Sequence, residues 1–276
     1  MAVLWILPAL IVPAGIYLLL IAPGRRSMAP FDGVPIAHRG FHTETPEAPE
    51  NSLAAFRRAR QAGFGAELDI QFTADRQLVV FHDETLKRVC GADIPVRSLS
   101  FAQLQAYPIQ GGESRIPLFS EVLAELDGAP VVVELKSYGS NGDTSLCEAA
   151  WPLLAAYKGP ICVESFNPLM LRWFRRHHPE MRRGILAMHY RDEVAPALRV
   201  PLSALLTNCL TRPDFVAYRI ADGRALSLRL CRRMGAATLG WTAESPADAA
   251  RAQALGFDNV IFEQYDPRTL NTAKPE

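Results

Sequence analysis

No two of the five cysteines, Cys90, Cys147, Cys162, Cys209 and Cys231, stand in a C-x-x-C pair, and their number is odd. That excludes a sequence-legible zinc knuckle or disulfide framework and leaves reduced thiols, buried like other small apolar side chains. Neither sign of charge is in excess, with 29 Lys and Arg against 29 Asp and Glu. A chain without a basic face has no footprint for a nucleic-acid partner. The pairs Arg57-Arg58, Arg175-Arg176, Arg182-Arg183 and Arg232-Arg233 read instead as solvated helix faces.

Charge is absent altogether from Ala2 to Gly24. As a helix rising ~1.5 Å per residue, such a stretch is long enough for a hydrocarbon core of ~30 Å. Pro8 and Pro13 kink it, which lipid-embedded helices tolerate. The marks of a cleaved secretory signal, a basic start and a small-x-small site, are missing. The expectation is therefore a single-pass transmembrane anchor over residues 1–24 and a linker over 25–33. Arg25 and Arg26 follow the segment and no Lys or Arg precedes it, so the positive-inside bias puts the main domain on the cytoplasmic side of the membrane. Removal of residues 1–24 is expected to leave a soluble, active domain.

Residues 34–276, in a chain with 49% hydrophobic residues, suffice for one large α/β domain. Apolar runs near Val34–His38, Ala66–Ile70, Val131–Leu135, Ile161–Glu164, Gly184–Met188, Phe215–Tyr218, Ala237–Gly240 and Asn259–Phe262 predict eight strands. Helical stretches such as Ser52–Ala62, Asp143–Tyr157, Pro168–Arg176 and Pro246–Leu255 alternate with them. This predicts a closed (β/α)8 TIM-type barrel. Asn51 or Ser52 caps the first of these helices and Gly63 ends it, while Ser245-Pro246 and Gly256 bracket a later one. The connection after the second strand, about residues 84–116, is long enough to be an insertion overhanging the barrel mouth.

Polar clusters fall where the apolar runs end: His38-Arg39-Gly40, Glu67-Leu68-Asp69, His82-Asp83 and Glu134-Leu135-Lys136. In a parallel barrel the strand ends form the catalytic face. Residues two apart on a strand share a side, so Glu67 points with Asp69 and Glu134 with Lys136. Three carboxylates on neighbouring strands suit a hard divalent cation, Mg2+ or Ca2+, better than zinc. Arg39 and Lys136 beside that cation suit an anionic phosphoryl group. His38 and His82 are then candidates for general acid and base.

These clusters, together with Pro49-Glu50-Asn51-Ser52, Thr73-Ala74-Asp75, Val80-Phe81-His82-Asp83-Glu84-Thr85-Leu86, Ile116-Pro117-Leu118, Ser165-Phe166 and Trp241-Thr242, resemble the glycerophosphodiester phosphodiesterase family in order and spacing across Val34 to Tyr265. The resemblance implies a TIM-type barrel and divalent-metal-dependent hydrolysis of a glycerol-linked phosphodiester to an alcohol and a glycerol phosphate. It implies His38 and His82 as the acid–base pair, and Glu67, Asp69 and Glu134 as metal ligands. Arg39 and Lys136 would contact phosphate, and Trp241 would wall the glycerol. Ala243 and Phe262-Glu263 depart from the pattern, where Asn and Thr-Asp are common; Glu263 is expected to act as a helix or loop cap. His42, His177, His178 and His189 lack motif context and read as surface or structural. Three functions follow in order: hydrolysis of water-soluble glycerophosphodiesters, a membrane-anchored lysophospholipase D acting on lysophospholipids, and a non-catalytic phosphodiester-binding barrel.

Overall fold

The structure is a computed structural model that describes residues 3–24, 26–138 and 142–272, with side chains described from Ile11 to Thr269. Eight parallel strands close on themselves: β1 (Ile36–Ala37), β2 (Gly65–Phe72), β4 (Val131–Leu135), β5 (Ile161–Ser165), β6 (Arg182–Ala187), β7 (Phe215–Arg219), β8 (Ala237–Ala243) and β9 (Asn259–Phe262). Closure runs through β1, where Ile36 pairs with Gly65 on one side and Ile261 on the other. All eight strands coincide with the apolar runs. A ninth, β3 (Leu78–Val80), was not among them: it folds back antiparallel on β2 with Ile70 opposite Val80. The stretch Leu202–Leu206, as apolar as the run at Phe215, forms no strand: its first two residues end a helix and the rest is turn.

Around the barrel lie α2 (Leu53–Gln61), α5 (Phe119–Leu126), α6 (Ser145–Ala156), α7 (Pro168–His177), α8 (Pro196–Ser203), α9 (Asn208–Thr211), α10 (Leu226–Arg233) and α11 (Pro246–Ala254). Capping follows the residues: Ser52 Oγ accepts from Ala55 N, and Ser245 Oγ from Asp248 N. Gly63 and Gly256 then take the left-handed φ of +75° and +82° that ends each helix. The insertion carries α3 (Lys87–Cys90) and α4 (Phe101–Leu104) and has its own apolar core of Phe81, Leu86, Val89, Val96, Leu104 and Ile109. Asp75 ties it down by accepting from Phe101 N at 3.0 Å. Arg183, read as part of a solvated helix face, sits on β6 and is buried. Its guanidinium donates to the carbonyls of Thr211 and Arg212, which tie α9 to the strand.

Two apolar layers hold the fold. Outward-facing strand residues such as Leu68, Val133 and Tyr218 pack under the helices with Phe56, Phe119 and Phe174. Inside the barrel, Ile36, Val132, Cys162, Phe215, Leu239 and Ile261 fill the lower end, and Phe31 plugs it from below. Gly65 makes room there, because a Cβ would meet Ile36 Cδ1 at 2.7 Å. The polar side chains are thereby confined to the upper end.

The expected transmembrane anchor finds no support: among the described residues no helix is long and apolar enough to cross a membrane. The segment does form a helix, α1 (Val3–Ile21), but its last turns belong to the barrel. Ile21 is fully buried, and its carbonyl accepts from Asn208 Nδ2 and Cys231 Sγ. Tyr17 Oη donates to Ala204 O, and Arg212 Nη1 to the carbonyls of Leu19 and Ala22. Arg25, half of the orientation signal, lies outside the described residues. Arg26 is turned onto the barrel, donating to Pro179 O at 2.7 Å.

Because the end of α1 is docked on the barrel, truncation through it should cost stability. A chain beginning at Ile11 keeps the docked end of α1 and serves as the reference. One beginning at Met28 should lose about 2–4 kcal/mol from the emptied Ile21 site, or roughly 5–10 °C. Equal melting of the two in thermal denaturation would show that the α1 docking contributes nothing.

Candidate active site

Strand alternation builds the site from below upward. Residues above the lower apolar layer also face inward, and on or just past six of the eight strands they are His38, Glu67 with Asp69 one pleat higher, Glu134, Glu164, Trp241 and Glu263. The register brings Asp69 level with Glu134, and Glu134 level with Glu164. One carboxylate oxygen each from Glu67, Asp69 and Glu134 lies within 4.8 Å of the others, and all three residues are buried. The expected trio is thus brought together. Lys136 Nζ joins it, 2.9 Å from Asp69 Oδ1 and 2.8 Å from Glu134 Oε1.

The electrostatics of this cluster are divided. Burial pushes Asp69 up, but Lys136, His82 and Arg39 outweigh it and hold the carboxyl far below its ordinary range. Burial and the charges of Asp69 and Glu134 push Glu67 well above its ordinary value. Burial also raises Glu134, against the pull of Lys136. The ammonium of Lys136 is lowered by burial but raised more by Asp69 and Glu134, so it stays charged. Crowded carboxylates with this pent-up repulsion, all offering oxygen, have the donor chemistry of a hard divalent cation site.

Around them the motif residues have distinct work. Arg39 takes a left-handed φ of +52°, donates its backbone N–H to Glu67 Oε2, and pairs through Nη1 with Glu50 at 2.9 Å. Its Nε lies 3.6 Å from Asp69 Oδ2. Gly40 follows at φ +81°, where a Cβ would stand 2.9 Å from the Ala55 backbone; only glycine lets the turn lie against α2. Asn51, foreseen only as a helix cap, is buried and donates to Asp69 Oδ2 at 2.9 Å.

Both predicted histidines reach the rim. His38 Nε2 lies 3.9 Å from Glu67 Oε2, and its Nδ1 is 2.6 Å from Glu263 Oε2. Burial lowers the His38 imidazole against the opposing hydrogen bond from Glu263. His82 is carried not by a barrel strand but by the backbone just past β3, and its Nδ1 is 2.6 Å from Asp83 Oδ1. Gln71, at the top of β2, fixes this loop by donating to the carbonyls of Phe81 and Asp83. Tyr138 donates to the His82 carbonyl. Arg88 from the insertion clamps Asp83 and Glu50 together, at 2.7 Å to each. The insertion thus braces the site as well as packing beside it, and Arg97 lines a recess with Gln71, Lys136 and Tyr138.

Trp241 stands further along the rim, edge-on to Phe166 at 5.6 Å, and its indole N–H has no protein acceptor among the described residues. Three residues near the site were not foreseen. Glu164 is 1% exposed with Oε2 unpartnered among the described residues, and burial together with Glu134 and Asp69 raises it well above the ordinary carboxyl value. The period of two on its strand was the available signal. Glu263, expected as a cap, bonds an imidazole instead. His42, expected on the surface, lies 3.5 Å from the same Glu263 oxygen. His177 and His178 do stack on Trp173 and Trp151 as structural residues.

The fold and this rim define a parallel barrel with an oxygen-rich, cation-ready site at the carboxyl ends of its strands. The chain belongs to the glycerophosphoryl diester phosphodiesterase family, whose model matches residues 38–266. A glycerophosphodiester phosphodiesterase of Caldanaerobacter subterraneus is 31% identical over 252 residues, covering 85% of this chain and 95% of that one. Human lysophospholipase D is 34% identical over 114 residues, 37% of this chain and 35% of its own length. An Oleispira antarctica phosphodiesterase structure, holding the product sn-glycerol-3-phosphate, superposes with a TM-score of 0.72 at 24% identity, over 90% of this chain and 99% of that one. The Thermotoga maritima glycerophosphodiester phosphodiesterase gives a TM-score of 0.64 at 23% identity, over 83% and 94%.

Proposed function

We propose that this protein is a divalent-cation-dependent phosphodiesterase that hydrolyses glycerophosphodiesters to a glycerol phosphate and an alcohol. The observation that carries the reading is the convergence of Glu67, Asp69 and Glu134 within 4.8 Å beside two carboxylate-bound imidazoles, in a chain of this family. Glu67, Asp69 and Glu134 would hold Mg2+ or Ca2+. Such an ion supplies Lewis-acid stabilisation of charge on phosphoryl oxygens. Arg39 and Lys136 add fixed positive charge at the same rim and orient the diester. His38 and His82 each have Nδ1 engaged with a carboxylate, which leaves Nε2 free to move protons. One accepts a proton from the attacking hydroxyl, and the other delivers one to the departing alkoxide. Trp241 and Phe166 supply an apolar wall for the glycerol carbons.

A second substrate class is favoured by one feature. A groove of about 450 Å³ starts at Glu134 and Lys136 and runs past Phe166, Leu169, Leu198 and Leu202. Its apolar lining suits the acyl chain of a lysophospholipid. Ile11, Val12, Ile16 and Leu19 on α1 and Leu198 and Val200 on α8 are exposed, and Tyr17 Oη of α1 donates to Ala204 O just past the end of α8. In this reading that apolar face rests on a membrane surface. A non-catalytic binder fits less well, because cation ligands, phosphate cations and both imidazoles are all present.

Turnover of glycerophosphocholine and of lysophosphatidylcholine by the full chain, each with and without chelator, tests the assignment. Release of choline or glycerol phosphate that chelator abolishes is the expected result. Binding of either diester without turnover would leave only a binding barrel. A preference for the lysolipid of tenfold or more in kcat/KM would move the second substrate class to first place.

A further inference from the structure

Glu263 leaves the end of β9 with its backbone N–H held by Ala243 O at 2.9 Å, so its Cα is fixed by the barrel. One residue earlier, the Phe262 carbonyl accepts from His38 N at 2.8 Å, which fixes the backbone of His38 against the same strand. Between these two anchored points the side chains meet, His38 Nδ1 to Glu263 Oε2 at 2.6 Å. Among the described residues the recorded partners of this carboxylate are imidazoles, His38 and, at 3.5 Å, His42. A helix or loop cap would instead accept from backbone N–H groups. The contact is shielded, with the Glu263 side chain 14% and His38 18% exposed.

The same arrangement occurs across the rim. His82 Nδ1 meets Asp83 at 2.6 Å, and Asp83 is braced by Arg88. Each imidazole therefore has one carboxylate on Nδ1, and each carboxylate has a second basic group behind it.

We propose that Glu263 is the positioning residue of His38, with His42 bracing its carboxylate. By accepting from Nδ1–H it selects the tautomer whose unprotonated Nε2 faces Glu67, and it holds the ring plane there through the reaction. It touches no reacting atom. The inference rests on His38 serving the hydrolysis proposed above.

Glu263→Leu removes the acceptor, and Glu263→Gln keeps an acceptor oxygen without the charge. In the full chain, Glu263→Leu should lower kcat for glycerophosphocholine by about 10- to 100-fold, while KM and the cation affinity from calorimetry stay within about twofold. Glu263→Gln should not recover that loss, because its amide nitrogen can donate to Nδ1 and fix the opposite tautomer, whereas Glu263→Asp, which keeps a carboxylate acceptor, should recover part of it. With an activated aryl phosphodiester, adding Glu263→Leu to His38→Ala should change the residual rate less than about twofold, because the residue acts through His38. Loss of equal size in both backgrounds, or a Leu variant within threefold of native, overturns the proposal. Imidazole 15N shifts read the tautomer without any turnover and separate this inference from the hydrolysis itself. Native His38 protonated on Nε2 rather than Nδ1 would also overturn it, even if the Leu variant failed to fold.

Discussion

Replacing His38 or His82 with alanine lowers kcat by about 10²- to 10⁴-fold, the span that a positioned proton donor or acceptor contributes. Neither ring makes contacts that the fold depends on: both are partly exposed at the rim, and each is held mainly by a single carboxylate. Melting temperature should therefore move by less than a few degrees in either variant. The two losses differ in their response to the leaving group. A ring that protonates the departing alkoxide matters less when that group is an acidic phenol, whereas the ring that accepts the attacking proton matters as much as before. Comparing glycerophosphocholine with an aryl diester in both variants assigns the two roles. Near-native rates in both variants would remove the acid–base reading altogether.

Glu67→Gln has the second large effect, and it runs in opposite directions with and without cation. Burial and two neighbouring carboxylates raise the Glu67 carboxyl in the folded chain. A raised acid contributes stability below its unfolded value, and that contribution is lost as pH rises through the folded one. At neutral pH and without cation, the charged cluster is therefore a source of strain that glutamine relieves. Glu67→Gln should melt higher than the native protein in chelator at pH 8 and show less advantage at pH 5. Added Mg2+ or Ca2+ reverses the order, since a ligand at 100 times its Kd stabilises the native cluster by about 2.7 kcal/mol. The variant should also need at least tenfold more cation for half-maximal turnover. Identical titration midpoints for the two proteins would exclude Glu67 as a ligand.

The lower apolar layer and the upper polar rim were legible in the chain because strand geometry is local. A period of two along Ala66–Ile70 or Val131–Leu135 fixes which residues share a face, whatever the partner strand. The end of an apolar run marks the rim. Glu67, Asp69, Glu134, Lys136, His38 and Arg39 all follow from that reasoning, as does their convergence once eight strands close. Glu164 obeys the same rule but was hidden by an unremarkable motif. The Thr73-Ala74-Asp75 motif looked like part of the signature, and its structural role is a hairpin: Gln77 N donates to Thr73 Oγ1, and Asp75 reaches across to α4.

Three relations had no local trace. Glu263 and His38 are 225 positions apart and meet only because the last strand of the barrel lies beside the first. Arg88 finds Glu50 and Asp83 because the insertion folds over the rim. The apolar opening segment carries no record of Asn208, Cys231 and Arg212, whose side chains hold its end to the barrel. Hydrophobicity states that a surface must leave water without naming the surface that receives it. Pattern along the chain was enough for strand faces and the chemistry they present, while ring closure and packing chose the distant partners that orient that chemistry and the place where the first helix is buried.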